Sequence, residues 1–133
     1  MIDGVEVANG ENFYPLMVRR CIEEKLTMFG NTDEHTLTSC RFDPLGCYRT
    51  MTLVFAKKLT EKSIKEALLE DRTLVYICGY LAGEEKLLSD FLNAAVTCQM
   101  VKENQKKGLP ASYRLWSALP LPCQCESGIA AAP

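Results

Sequence analysis

Apolar positions alternate with polar ones from Val5 to Val7 and the alternation stops at Asn9-Gly10, which predicts a short strand closed by a turn. Tyr14, Val18, Cys21 and Ile22 then recur at helical spacing. A helix is expected there, capped by Asn12 and with Pro15 in its first turn, where a missing N–H removes no intrahelical bond. Leu26-Thr27-Met28-Phe29 reads as the next strand, stopping at Gly30 and opening into Asn31-Thr32-Asp33-Glu34-His35. Residues 36–48 have loop composition, including Asp43-Pro44-Leu45-Gly46. A loop of that length is usually functional or disordered.

From Arg49 to Ala56, Met51, Leu53 and Phe55 fall on one side and Val54 and Ala56 on the other, the pattern of a strand buried on both faces. Thr60 is placed to cap a helix, with Leu59 and Ile64 as a hydrophobic staple and Ala67 and Leu68 continuing the buried stripe. Thr73 to Tyr80 is rich in β-branched and aromatic residues and predicts a strand. Glu84 to Ala95 predicts a helix with Leu87, Leu88, Phe91, Leu92 and Ala95 on its core side. Strand, helix, strand, strand, helix, strand, helix is the succession of an α/β architecture with mostly parallel strands. After residue 96 the pattern changes to two strands, 97–103 and 112–116, joined by a polar Gly-Pro segment as a β-hairpin. Three regions result: residues 1–96, the α/β part; 97–126, the hairpin segment; and 127–133, an unstructured small-residue tail.

Composition narrows the partners. With 133 residues, 47% hydrophobic and 24% charged, the chain suits one domain with a real core. A net charge of −2, with Lys and Arg scattered among acidic residues, provides no field for a polyanion, so nucleic acid is not an expected partner. No apolar run approaches the roughly 18 to 20 residues that cross a bilayer, so no membrane partner is expected either. The seven cysteines cannot all pair within one chain. Cys21, Cys78 and Cys98 lie among apolar residues, where a free thiol packs as a small hydrophobe. Cys123-Gln124-Cys125 lacks the second Cys or His pair of a structural zinc site. None of them assigns a cellular compartment.

His35 is the one histidine, so any Ser-His-Asp or Cys-His scheme must use it, and no nucleophile motif accompanies it. It stands two residues from Asp33 at the C-terminal end of a predicted strand. In extended backbone, residues two apart project to the same face, so a carboxylate and an imidazole can converge on one divalent cation. Oxygen with nitrogen suits Zn, Mn or Fe, and ligand sites of α/β proteins lie at the carboxyl ends of strands. Asp-x-His also occurs by chance in loops, and catalytic metal centres use three or more protein ligands. The nearby candidates for more are Glu6, Glu11, Glu34 and Asp43.

Three stretches carry a family resemblance: Gly4 to Gly10, Cys21 to His35 and Arg49 to Lys57, continuing through Ile64 to Leu68, Arg72-Thr73 and Gly83-Glu84-Glu85. Over about residues 3–96 the sequence resembles the final third of PHP (polymerase and histidinol phosphatase) domain phosphoesterases, with a branch similar to bacterial phosphodiesterases often labelled the Sb-PDE family. The resemblance implies a distorted (β/α)7 barrel, here its C-terminal part over residues 1–96, followed over residues 97–126 by the start of a small β domain, with two or three divalent metals activating water against a small phosphate ester. It maps the family's last Asp-x-His motif onto Asp33 and His35 and places the earlier motifs, beginning with His-x-His, ahead of Met1. Where the family often has a small aliphatic residue between the ligands, this chain has Glu34. Arg49 maps onto a commonly basic stretch and is carried over as a phosphate contact, against the alternative of a surface ion pair with Asp43. Glu6 reads as structural or supporting.

The expectation is thus a fragment of a metal-dependent phosphoesterase, inactive alone and prone to self-association through its edges. The alternatives are a non-catalytic α/β interaction or scaffold module and an amidohydrolase-like metal barrel, which fits the flanking residues less well.

Overall fold

The computed structural model of the chain describes residues 2–102 and 112–117, with side chains over residues 2–97. β1 (Gly4–Asn9) lies between β2 (Asn12–Phe13), antiparallel to it, and β3 (Thr27–Asn31), parallel to it. Helix α1 (Pro15–Glu24) makes the crossover to the parallel strand. Asn12 does not cap this helix, because it pairs with Asn9 in the hairpin. Tyr14 occupies the cap position without a side-chain hydrogen bond, and Pro15 at the start removes one of the donors a cap would satisfy.

The register of β1 on β3 slips between Glu6 and Ala8, leaving Val7 as the extra residue of a bulge. That explains why neighbours Val7 and Ala8 are both buried where strict alternation would expose one. They share a core with Cys21 of α1, Met28 of β3 and two residues of a second sheet, Val75 and Ile77.

That second sheet is formed by β4 (Met51–Val54), β5 (Thr73–Ile77) and β6 (Tyr80–Ala82) in this order. Both its pairings are antiparallel, so the expectation of mostly parallel strands fails here. The link from β4 to β5 contains a helix, α3 (Glu61–Leu69), and is long enough to return the chain in either direction; periodicity does not encode which. The predicted strand Thr73 to Tyr80 is two strands, because Cys78 and Gly79 take positive φ and make a two-residue turn. All of β5 is buried at the sheet's centre. The edge strand β4 is only partly so, contrary to burial on both faces. Each of the two sheets has three strands and neither closes into a barrel among the described residues.

Residues 36–48 are not plain loop. They contain a short helix, α2 (Thr38–Phe42), and a 3₁₀ turn (Asp43–Leu45), anchored by the buried Phe42 ring. Thr60 caps α3 as expected, accepting from the Ser63 N–H, but Leu59 is 95% exposed and forms no staple. Glu84 caps α4 (Glu85–Ala95), whose Phe91 packs edge-on against Phe55 while Leu92 faces solvent. The chain then passes directly into β7 (Val96–Lys102), which pairs antiparallel with β8 (Ser112–Ser117), the expected hairpin. The proposed tail, 127–133, and the Cys123-Gln124-Cys125 pair lie outside the described residues.

Threonine hydroxyls join the two sheets. Thr52 Oγ1 accepts from the Gly30 N–H at 2.9 Å and donates to the Gly30 carbonyl at 3.0 Å, and the buried Thr50 donates to the Gly10 carbonyl. Thr50→Val keeps the shape of the side chain but takes a donor from a buried carbonyl, so a loss of about 1 to 3 kcal/mol is expected. A urea midpoint unchanged from wild type would show that this bond contributes nothing.

Candidate metal and phosphate site

At the end of β3 the Glu6 carboxylate accepts from Asn31 Nδ2 at 2.8 Å and from Asn9 Nδ2 at 3.2 Å, tying the ends of two paired strands. Glu6 therefore supports the site rather than entering it. Past Asn31 the chain leaves the strand, and Asp33 takes φ 48, a left-handed conformation that Asp tolerates better than most residues. Asp33 and His35 thus converge through a turn, not through the alternation of extended backbone.

Asp33 Oδ1 and His35 Nε2 are 3.7 Å apart, too far for a hydrogen bond. Two donors each about 2.0 to 2.2 Å from one cation stand a little over 3 Å apart, so a small rotation would let both reach it. Their side chains are 66% and 90% exposed, and among the described residues neither makes a side-chain hydrogen bond. The pair fits two coordination positions of a divalent cation. Among the described residues no group of three or more His, Cys, Asp or Glu is placed to hold a metal.

The residue between them points the other way. Glu34 is only 10% exposed and accepts from the His35 and Thr36 N–H groups, both at 3.0 Å, from Thr36 Oγ1 at 2.8 Å and from Arg41 Nη1 at 3.2 Å. These bonds, the Thr36 hydroxyl first, hold its carboxyl below the usual range. Arg41 also donates to Glu11 at 3.0 Å and lies against the Gly10 backbone, where a Cβ would come within 3.0 Å of its guanidinium. Its two carboxylate partners raise its pKa further. Glu11 and Glu34 are therefore spent on Arg41 and do not complete a ligand set.

Arg41 was invisible in the sequence because it stands in a stretch of loop composition and its partner Glu11 lies 30 residues away. Glu34 and Arg41, seven apart, offered only a weak hint.

Arg49 is exposed and, among the described residues, makes no ion pair; the alternative pairing with Asp43 is not formed. It lines an open cleft of about 520 Å³ together with residues 30–35 and 50–52, so one cleft brings Asp33, His35 and Arg49 together.

The Glu34 bonds have a pH signature. A carboxyl whose folded-state pKa is depressed contributes stability above its unfolded value and loses it as pH falls through the folded one. The order around Thr36 is therefore expected to survive into acid below the usual carboxylate range. In Thr36→Val the Glu34 carboxyl, followed by NMR, should titrate at higher pH. An unmoved titration would contradict the bonding assigned to Thr36.

No known family profile matches the chain, and no curated protein does. Among solved structures it is similar to a two-domain protein from Bacteroides vulgatus ATCC 8482 containing a predicted PHP-like metal-dependent phosphoesterase. Identity is 34% with a TM-score of 0.76, and the match covers 90% of this chain and 34% of that one. The chain thus spans about a third of the length of the protein it matches, and its mixed α/β fold is similar to a PHP-like fold.

Proposed function

We propose that the chain is part of a metal-dependent phosphoesterase, in which Asp33 and His35 supply two ligands to a divalent cation and Arg49 contacts a small phosphate ester. The observation that carries this reading is the meeting of a carboxylate and an imidazole 3.7 Å apart in a cleft that also holds a guanidinium unpaired among the described residues. The likeness to a protein containing a PHP-like phosphoesterase supports the class. In this reading the two open sheets are the C-terminal part of a distorted (β/α)7 barrel, and further ligands come from outside the described residues. Manganese, zinc and iron all accept this mixture of donors.

Asp33 and His35 would hold the cation, which when bound would acidify a water toward neutrality and place positive charge against the phosphate oxygens. The chain's own residues hold and orient. Arg49 presents a planar fork suited to two phosphate oxygens. Glu34 is excluded as a general base by its four hydrogen bonds, which keep it ionised but occupied. Its function is to fix the turn on which Asp33 and His35 stand.

The test is a hybrid in which this chain replaces the matching third of the Bacteroides protein. Manganese-dependent hydrolysis of bis-p-nitrophenyl phosphate is expected from the hybrid, whereas the 133-residue chain alone should bind Mn²⁺ weakly and show no turnover. A folded hybrid that neither loads metal nor turns over, beside an active parent, would reject the proposal and favour a non-catalytic α/β interaction module.

A further inference from the structure

Cys78 opens the turn between β5 and β6 with φ 40, a conformation uncommon for a residue bearing a Cβ. Its Sγ lies 3.0 Å from Sγ of Cys47, which ends the segment carrying α2 and the 3₁₀ turn. Both thiols are free and partly buried. The two sulfurs belong to residues 31 apart in sequence and are brought together only by the fold. A disulfide needs them at about 2.05 Å, so closure requires an approach of about 1 Å. Beside them is Tyr76, whose buried hydroxyl has no hydrogen-bond partner of normal geometry among the described residues, although the Gly79 and Tyr48 backbones lie alongside. Among the residues whose side chains are described, the other two free thiols differ: Cys21 is buried in the core and Cys40 is exposed.

We propose that Cys47 and Cys78 are a modification site, forming a reversible disulfide that fastens the segment leading into the cleft to the β5–β6 turn. Cys47 is followed by Tyr48 and then by Arg49 and Thr50, which line the cleft, so the bond restrains the cleft wall directly. The inference rests on the thiol geometry and does not require the phosphoesterase reading.

The oxidant is a small-molecule disulfide. The Cys47 thiolate attacks one of its sulfurs, releasing one thiol and leaving a mixed disulfide on Cys47. Cys78 then gives up its proton to water and attacks Cys47 Sγ, forming the intramolecular bond and releasing the second thiol. Two protein thiols are oxidised and one reagent disulfide is reduced to two thiols. In the free dithiol burial, followed by the hydrogen bond with Cys47, pushes the Cys78 thiol up to about 11; the burial persists once Cys47 carries the mixed disulfide, so the closing step should accelerate as pH rises above neutrality.

The full chain equilibrated in graded glutathione redox buffers, quenched with iodoacetamide and mapped without reduction tests this. The Cys47 and Cys78 peptides should leave the alkylated pool together and reappear as one cross-linked species, restored by dithiothreitol. Because the bond closes a long loop in the unfolded chain, oxidation should raise Tm by on the order of 10 °C. Cys78→Ser should abolish that rise and Cys40→Ser preserve it. The proposal is overturned if Cys47 and Cys78 are alkylated separately while other cysteines oxidise, or if either joins a different cysteine. The wild-type map decides the matter even if Cys78→Ser fails to fold.

Discussion

Replacing Gly30 with alanine is expected to destabilise the protein by about 3 kcal/mol, toward the upper end for an overpacked core. A Cβ on Gly30 would lie 2.4 Å from Val75 Cγ1, with Thr50 Cγ2 at 3.3 Å and the Met51 carbonyl at 3.4 Å. Val75 cannot easily give way. It is fully buried, β-branched and paired on both sides, to Thr52 and Ala82. The remaining relief is for β3 to move away from β4, which breaks both hydrogen bonds between Thr52 and Gly30. Asn31 to His35 follow at once, so the strain should also displace Asp33 and His35 within the cleft. Urea unfolding should show a lower midpoint at unchanged slope, and Tm should fall by about 10 °C. Gly46→Ala is the control: its φ is 65 but nothing lies within 4 Å of a Cβ there, so only the backbone cost of about 1 kcal/mol is expected. Equal losses in the two variants would reject the close approach of β3 to β5.

The contrast between Gly30 and Thr60 shows what was legible in the sequence. Thr60 acts within its own turn, through the Ser63 N–H three residues on, so its cap could be read locally. Gly30 looked like a strand end, although β3 runs one residue further; its lack of a side chain is required by a strand more than forty residues away. Strand direction behaved similarly. The apolar content of β5 was plain, but the antiparallel partners on either side were not, since periodicity states which residues are buried and not which way the neighbour runs. Helix α2 spans five residues, too few for a helical stripe to emerge. At the site, residue chemistry singled out Asp33 and His35, while the left-handed turn that joins them and the Arg41 bridge that braces Glu34 are products of tertiary contact. The same holds for the Cys47–Cys78 approach, where a residue expected to pack as a small hydrophobe meets a second thiol.

The largest functional effect is expected from His35→Ala in the hybrid with the Bacteroides protein. His35 is 90% exposed and touches the rest of the chain chiefly through its backbone, so its removal should leave folding unchanged. It would take away the one nitrogen donor beside Asp33. Loss of a residue that only orients a metal ligand typically costs 10- to 100-fold, so loss of a ligand itself should lower turnover by about 100-fold or more, with metal content falling in parallel. Raised Mn²⁺ should recover part of the rate, because a weakened site can be refilled by mass action. Arg49→Ala should behave differently. It contributes charge and hydrogen-bond donors to the cleft but no metal ligand, so metal content should hold while KM rises more than kcat falls. Arg49→Lys should restore part of the binding, since lysine keeps the charge but not the bidentate fork. Each variant needs metal analysis alongside bis-p-nitrophenyl phosphate kinetics, with the fold checked by Tm. Full activity and metal content in His35→Ala would reject the ligand assignment, and a parallel loss of metal in Arg49→Ala would show that Arg49 shapes the metal site instead of binding the ester.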